Sequence, residues 1–162
     1  MDAAPRNKIE IKRIKPSEFS WVVPLFDQYR VFYGQPSDID RAQQFIRSRL
    51  DNHESVIFVA FEKGKDKAIP VGFTQLYPKY SSVRTVRNWI LNDLYVDKAH
   101  RKRGIGESLI RTALAFAKKN DAKFVELSTA VDNYIAQRLY EAVGFEQQPP
   151  ENDFLTYRII LE

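Results

Sequence analysis

The chain predicts a single mixed α/β domain, residues 1–162, and three features carry that expectation. Strand-like and helix-like runs alternate along its length with no linker, repeat or low-complexity tract between them. Two β-rich runs flank a Gly-Lys-Asp-Lys turn, the pattern of an antiparallel hairpin. A chain of 162 residues, 44% hydrophobic and 28% charged, is long enough to bury one core.

In chain order, "KIEIKRI" from Lys8 to Ile14 alternates apolar and polar residues and reads as the first strand. A helical region follows from about Ser17 to Tyr33, with Pro24 marking a start or a kink because proline cannot donate inside a helix. "PSDIDRAQQFIRSRLDN" reads as a second helix, with Ser37 as N-cap and Asp38 and Asp40 at the positive end of the dipole. Ile39, Ala42, Phe45, Ile46 and Leu50 share its apolar face. The hairpin "SVIFVAFEKGKDKAIPVGFTQLYP" supplies two strands, and "NWILNDLYV" from Asn88 to Val96 a further one. Asn92 and Asp93 interrupt that strand. Left unpaired in a core, each costs about 1 to 3 kcal/mol, and neighbours point to opposite faces, so one lines a cleft while the other faces elsewhere.

"RKRGIGES" then leads into a helix beginning near Gly106, with the stripe Leu109, Ile110, Ala113, Leu114 and Ala117. "KFVELSTAVDNYIAQRLYEAVGFEQ" gives a strand from Phe124 to about Thr129, an N-cap at Asp132 or Asn133, and a helix to Val143 stopped by Gly144. "FLTYRIIL", Phe154 to Leu161, reads as a last edge strand.

Composition excludes several function classes. Without cysteine there is no disulfide framework, thiolate metal site or cysteine nucleophile. His53 and His100 sit in polar surroundings and read as solvated loop residues, so no metal is expected. "MDAAPRNKIE" lacks the apolar core of a signal peptide, and no apolar run approaches the roughly 20 residues that span a bilayer. The expectation is a soluble, cytoplasmic protein without a membrane partner. A net charge of +4 suits an anionic ligand, but basic residues are mixed with 21 acidic ones, which argues against a nucleic-acid surface. The local cluster "KAHRKRG", Lys98 to Gly104, matters more than the total.

That cluster opens a helix. The first turn of a helix leaves backbone N–H groups without partners at the positive end of the dipole, where phosphate oxygens are favoured. Gly104 and Gly106 remove side chains that would keep a diphosphate from those amides, and Arg101, Lys102 and Arg103 add positive charge. A tight turn of purely structural purpose is the plain alternative. The nucleotide motifs are absent: there is no G-x-x-x-x-G-K-[ST], and Leu109 and Ile110 stand where a dinucleotide fingerprint has its third glycine.

The combination of Arg101-x-x-Gly104-x-Gly106 after a strand ending "DLYV", with "DN..AQRLYE.VGF" downstream, closely resembles the GNAT superfamily of N-acetyltransferases. The resemblance is strongest from Trp89 to Phe145. It implies a mainly antiparallel sheet of six or seven strands, split at a cofactor cleft and flanked by about four helices. It further implies that backbone amides of Arg101, Lys102, Arg103, Gly104, Ile105, Gly106 and Glu107 hold the pyrophosphate of acetyl-CoA. Leu94, Tyr95 and Val96 would splay from the next strand and pair with the pantetheine arm. Asn133 matches the position that contacts the pantetheine, and Tyr140 the tyrosine whose hydroxyl lies near the thioester sulfur. The implied chemistry is direct attack by an amine, with Tyr140 as acid and a backbone amide near Leu94 to Val96 steadying the oxyanion. Many relatives carry a Glu-Asp pair where this chain reads Asn92-Asp93, which leaves Asp93 as the carboxylate able to attract an ammonium or to act as base.

The acceptor pocket is expected from the amino-terminal helices and the region after the hairpin: Tyr29, Tyr33, Gln75, Tyr77 and Tyr80, with Asn92 and Asp93. Aromatic faces beside a carboxylate suit a small cation. A small primary amine, such as a polyamine, diamine or amino acid, is the first acceptor class and a histone-like lysine peptide the second. A non-catalytic acyl-CoA-binding regulator and a nucleic-acid surface are the other readings. The last strand, as an edge, is expected to pair across a two-fold axis in a homodimer.

Overall fold

A computed structural model describes residues 8–151 and 153–161. Its strands are β1 (Ile9–Arg13), β2 (Val56–Lys63), β3 (Ala68–Ser81), β4 (Val86–Val96) and β5 (Val125–Glu126). Its α-helices are α1 (Val23–Phe32), α2 (Ile39–Asp51), α3 (Ile105–Lys119) and α4 (Tyr134–Val143), with short 3-10 turns at Pro16–Trp21 and Lys98–His100. The strands form one sheet in the order β1-β2-β3-β4-β5, antiparallel except for the β4–β5 pair, which α3 connects as a parallel crossover.

Helices cover both faces of this sheet. Ile57, Val59 and Phe73 pack with Val22, Phe26 and Ile46 under α1 and α2, while Phe58, Ala60, Leu76 and Trp89 pack with Leu109 and Ile110 under α3. Burial from both sides explains why β2 is apolar at every position from Val56 to Phe61.

Two β-bulges set which residues face which core. The β2–β3 register steps from Ala60↔Gly72 to Phe61↔Pro70, leaving Val71 extra. The β3–β4 register steps from Gln75↔Asp93 to Leu76↔Leu91, leaving Asn92 extra. In a regular strand Leu91 and Asp93 would share a face. The bulge breaks that parity, so Leu91 joins the α3 core while Asp93 follows Tyr95 toward α1.

Several expectations change. The described residues form five strands, where the sequence predicted six or seven. The strand expected from Phe124 to Thr129 is confined to Val125–Glu126, because β4 supplies partners only through Trp89↔Val125 and Ile90↔Glu126 and then diverges. Phe154 to Leu161 forms no strand, since no sheet edge runs beside it; Phe154, Leu155, Tyr157, Ile159, Ile160 and Leu161 are 75–88% exposed. The helical region expected from Ser17 to Tyr33 divides at Val22, and Pro24 sits in the first turn of α1, where its missing N–H costs nothing. Asp38 rather than Ser37 caps α2, accepting from the Arg41 N–H at 3.0 Å. Ser37 is committed elsewhere: its hydroxyl donates to Asp27 at 2.6 Å. Helix α3 begins at Ile105, one residue before the expected Gly106.

The Asp27 carboxylate, buried in α1, also accepts the Asp38 N–H at 2.9 Å and faces Arg30 at 3.3 Å. Burial alone would raise its pKa, but these partners outweigh burial and lower it. The knot fixes α2 to α1 and so fixes the helix that carries Tyr29 and ends at Tyr33.

Candidate active site

The turn between β4 and α3 is shaped by backbone before side chains. Lys102 (φ 61°) and Gly104 (φ 76°) both adopt the left-handed conformation, which concentrates successive N–H groups on one side. Gly104 is the N-cap of α3 and makes no side-chain cap bond, and the first helical bond is Ser108 N–H to Gly104 C=O at 3.0 Å. The amides of Ile105, Gly106 and Glu107 therefore lie ahead of the helical ladder. A Cβ on Gly106 would meet Leu139 and Val96 only at 3.6 and 3.9 Å, ordinary contact, so the fold itself tolerates one. The bareness of Gly106 matters to a ligand approaching its amide. These donors fit a diphosphate.

Side-chain cations are disposed unevenly around that turn. Arg103 is engaged by Glu62 of β2 at 2.7 Å, and His100 lies between Glu62 (3.0 Å) and Asp97 (2.8 Å). Hydrogen bonding from Arg103, then from His100, holds the Glu62 carboxyl below its ordinary value. His100 is thus a strut of the turn rather than a solvated loop residue. Arg101 donates to the Val96 carbonyl at 2.9 Å, with its guanidinium 5.5 and 5.8 Å from the Tyr95 and Phe32 rings. Nothing local in the sequence marks Glu62 or Phe32 as neighbours of this turn. Between α1, Tyr95 and Arg101 lies an open groove of about 580 Å³, also lined by Gln28, Phe32 and Lys98. It adjoins the turn and includes neither Asp93 nor Tyr140.

Along β4, Leu94, Tyr95 and Val96 run beyond the end of the β4–β5 pairing, so the two parallel strands part on the side of α4. At the start of α4, Asn133 Oδ1 accepts the Ala136 N–H at 3.2 Å, leaving its NH2 group to donate. Tyr140 lies two turns further on, with its ring 6.0 Å from Phe145. Burial, with Tyr33 nearby, raises its phenol pKa.

The second cluster centres on Asp93, buried on the α1 side of the sheet. Its carboxylate accepts from Gln75 Nε2 and from Asn92 Nδ2, the latter at 2.9 Å, and the Tyr29 hydroxyl supports it as well. Burial raises the Asp93 pKa against those three donors, and burial together with Asp93 pushes the phenols of Tyr29 and Tyr77 upward. The Gln75 carbonyl oxygen beside it is buried without a donor. Tyr33 packs edge-on to Tyr29 at 4.9 Å, and its presence helps to raise the Tyr140 phenol pKa. The structure therefore brings together Tyr29, Tyr33, Gln75, Tyr77, Asn92, Asp93 and, through Tyr33, Tyr140. Tyr80 stands apart, 72% exposed at the far end of β3 opposite Arg87. Asn92 and Asp93 touch each other, contrary to simple alternation, because the bulge turns them together. No group of His, Asp and Glu among the described residues could hold a metal ion.

Comparison with known proteins identifies the family. Residues 22–145 match the acetyltransferase (GNAT) family. The chain is 45% identical over 139 residues to the uncharacterized N-acetyltransferase YhfO of Bacillus subtilis, covering 86% of this chain and 91% of that one. A crystal structure of a probable acetyltransferase superposes with a TM-score of 0.83 at 34% identity, covering 94% of this chain and 98% of the other. An aminoglycoside N-acetyltransferase, AAC(6')-Iy in complex with CoA, shares the fold with a TM-score of 0.76 at 20% identity, covering 97% and 99%. The chain belongs to the acetyltransferase (GNAT) family and is an acetyl-CoA-dependent N-acetyltransferase.

Proposed function

We propose that the enzyme acetylates a small primary amine, such as a polyamine, diamine or amino acid, and that it works as a homodimer. The observation that carries the acceptor class is the Asp93 cluster. A buried carboxylate has three neutral donors and, among the described residues, no cationic side chain paired with it. Beside it the Gln75 carbonyl lacks a donor, and Tyr29, Tyr33 and Tyr77 ring the place where one could enter. An alkyl ammonium supplies both the charge and the N–H groups that this site lacks.

The amides from Arg101 to Glu107 receive the diphosphate of acetyl-CoA, with Lys102 adding charge, while Leu94, Tyr95, Val96 and Asn133 orient the pantetheine arm. Asp93 takes a proton from the ammonium, directly or through water, since an alkyl ammonium with pKa near about 10.4 is otherwise no nucleophile. The nitrogen forms its bond to the thioester carbonyl carbon, and a β4 amide near Leu94 to Val96 donates to the oxyanion. As the carbon–sulfur bond breaks, Tyr140 gives its proton to the leaving sulfur, and the nitrogen's second proton passes through water to the phenolate left at Tyr140. A phenol with a raised pKa keeps that proton until the sulfur needs it. No covalent enzyme intermediate is required.

A chain without cysteine permits a direct test. A thiol-reactive dye added to enzyme, acetyl-CoA and a panel of amines and lysine peptides reports only released coenzyme A. Turnover with small amines and not with peptides is expected. The reverse preference would overturn the acceptor class, and release with neither would overturn the Asp93 assignment.

A further inference from the structure

The open groove of about 580 Å³ beside the β4–α3 turn has apolar walls, Phe32 and the Tyr95 ring among them, and the polar groups it offers are mostly donors. Arg101 spends its Nε on the Val96 carbonyl at 2.9 Å and keeps both terminal NH2 groups. Gln28 accepts the Tyr95 hydroxyl on Oε1 at 3.3 Å and keeps its own NH2. Lys98 is exposed and brings three more N–H groups. Among the described residues, no free carboxylate offsets this charge. Asp27, which also lines the groove, is buried and already held by Ser37, the Asp38 N–H and Arg30. The carboxylates beside the turn, Glu62 and Asp97, are engaged by Arg103 and His100. The groove is thus built for an anion attached to an apolar chain.

The same two elements build the groove and the Asp93 cluster. On β4, Asp93 and Tyr95 both point toward α1, two residues and so about 7 Å apart. On α1, Tyr29 supports Asp93 while Gln28 and Phe32, one turn apart, line the groove. Tyr33 sits edge-on to both Tyr29 at 4.9 Å and Phe32 at 5.2 Å, so aromatic rings run from one place to the other. The Arg101 guanidinium lies 5.5 Å from the Tyr95 ring. An ammonium at Asp93 and an anion at Lys98 and Arg101 therefore stand about 7 to 10 Å apart.

We propose that the acceptor is an amino acid whose reacting amine and carboxylate are separated by about five methylene groups, with the ammonium at Asp93 and the carboxylate held by Lys98, Arg101 and Gln28. This rests on the small-amine reading above and narrows it. Extended, such a chain spans about 7 to 8 Å, whereas the two charges of an α-amino acid, about 3 Å apart, reach one place only. A diamine of the same length sets its second cation against Lys98 and Arg101 and is disfavoured. The phosphates of acetyl-CoA are the other anions expected near this turn. The thioester arm, however, is proposed to follow β4 where it parts from β5 on the side of α4, and the groove opens on the side of α1.

The test uses the full chain, acetyl-CoA and the thiol-reactive dye, with three acceptors of matched length: 6-aminohexanoate, hexylamine and 1,6-diaminohexane. The kcat/KM for 6-aminohexanoate is expected to exceed that for hexylamine roughly 10- to 100-fold, the scale of hydrogen bonds to a charged group, with the diamine below both. Lys98→Gln, at an exposed position, is expected to raise the KM for 6-aminohexanoate and to leave hexylamine unchanged. Lys98→Glu should reverse the order and favour the diamine, an outcome that a loss of structure does not produce. Equal kcat/KM for 6-aminohexanoate and hexylamine, or a Lys98→Gln variant that discriminates as wild type does, would overturn this inference and leave the small-amine reading standing. Coenzyme A release with none of the three would overturn both. A Lys98→Gln defect seen as a raised KM for acetyl-CoA with every amine, and absent with acetyl-dephospho-CoA, would give the groove to the cofactor's 3′-phosphate and overturn the acceptor assignment.

Discussion

Asp93 holds a carboxyl where water scarcely reaches, and its titration gives that position a signature. Burial sets its folded pKa above the unfolded value of about 3.9. Folding therefore takes up a proton there. The associated stability is complete below about pH 4 and is lost as pH climbs through the raised value. Asp93→Asn escapes that loss, so its urea midpoint relative to wild type should improve between pH 4 and pH 8. A relative decline over that range would contradict the burial account. The same variant should raise the KM for the amine roughly 10- to 100-fold, the scale of one hydrogen bond to a charged group. Tyr140→Phe keeps the ring and removes the proton, so kcat is expected to fall by about 10²-fold with acetyl-CoA affinity nearly unchanged. An unaltered kcat would remove Tyr140 as the acid.

The β4–α3 turn makes its prediction as an element. Gly104 is left-handed, with open space where a Cβ would stand. Gly104→Ala should cost about 1 to 2 kcal/mol of stability from backbone strain, with acetyl-CoA still bound. Gly104→Glu should abolish the calorimetric isotherm, because it sets a carboxylate at the amides proposed to receive the phosphates; binding retained by that variant would refute the cradle. This turn was legible in the sequence because its glycines, cations and helix start are contiguous. So were β1 to β4 and the four α-helices, whose periodicities are local. The bulges were not, because only the register of a partner strand reveals an extra residue. Nor could Phe154 to Leu161 be placed, since alternation shows that a strand wants a partner without showing whether its own chain provides one. Glu62 clasping Arg103 and Tyr29 supporting Asp93 are likewise contacts between elements distant in the chain, invisible to spacing along any one of them.

At the scale of the whole molecule, two cores share one sheet, and Tyr33, edge-on to Tyr29 beside Asp93, also helps to raise the Tyr140 phenol pKa. In the homodimer proposed above, unfolding includes dissociation, so Tm should rise with protein concentration. A Tm that stays constant over a hundredfold dilution series would count against that linkage. The extra residue at Asn92 has a consequence for how such a chain changes over generations. Removing it would leave Leu91 and Asp93 on the faces they already occupy and would make the β3–β4 ladder regular. The shortened protein should melt no lower than the parent and yet lose acetyl transfer, because the local turn of the strand is gone. A lineage freed from the need for activity could then shed this residue and gain order, so a straight β4 in a descendant would mark a chain that has kept the architecture and left the chemistry behind.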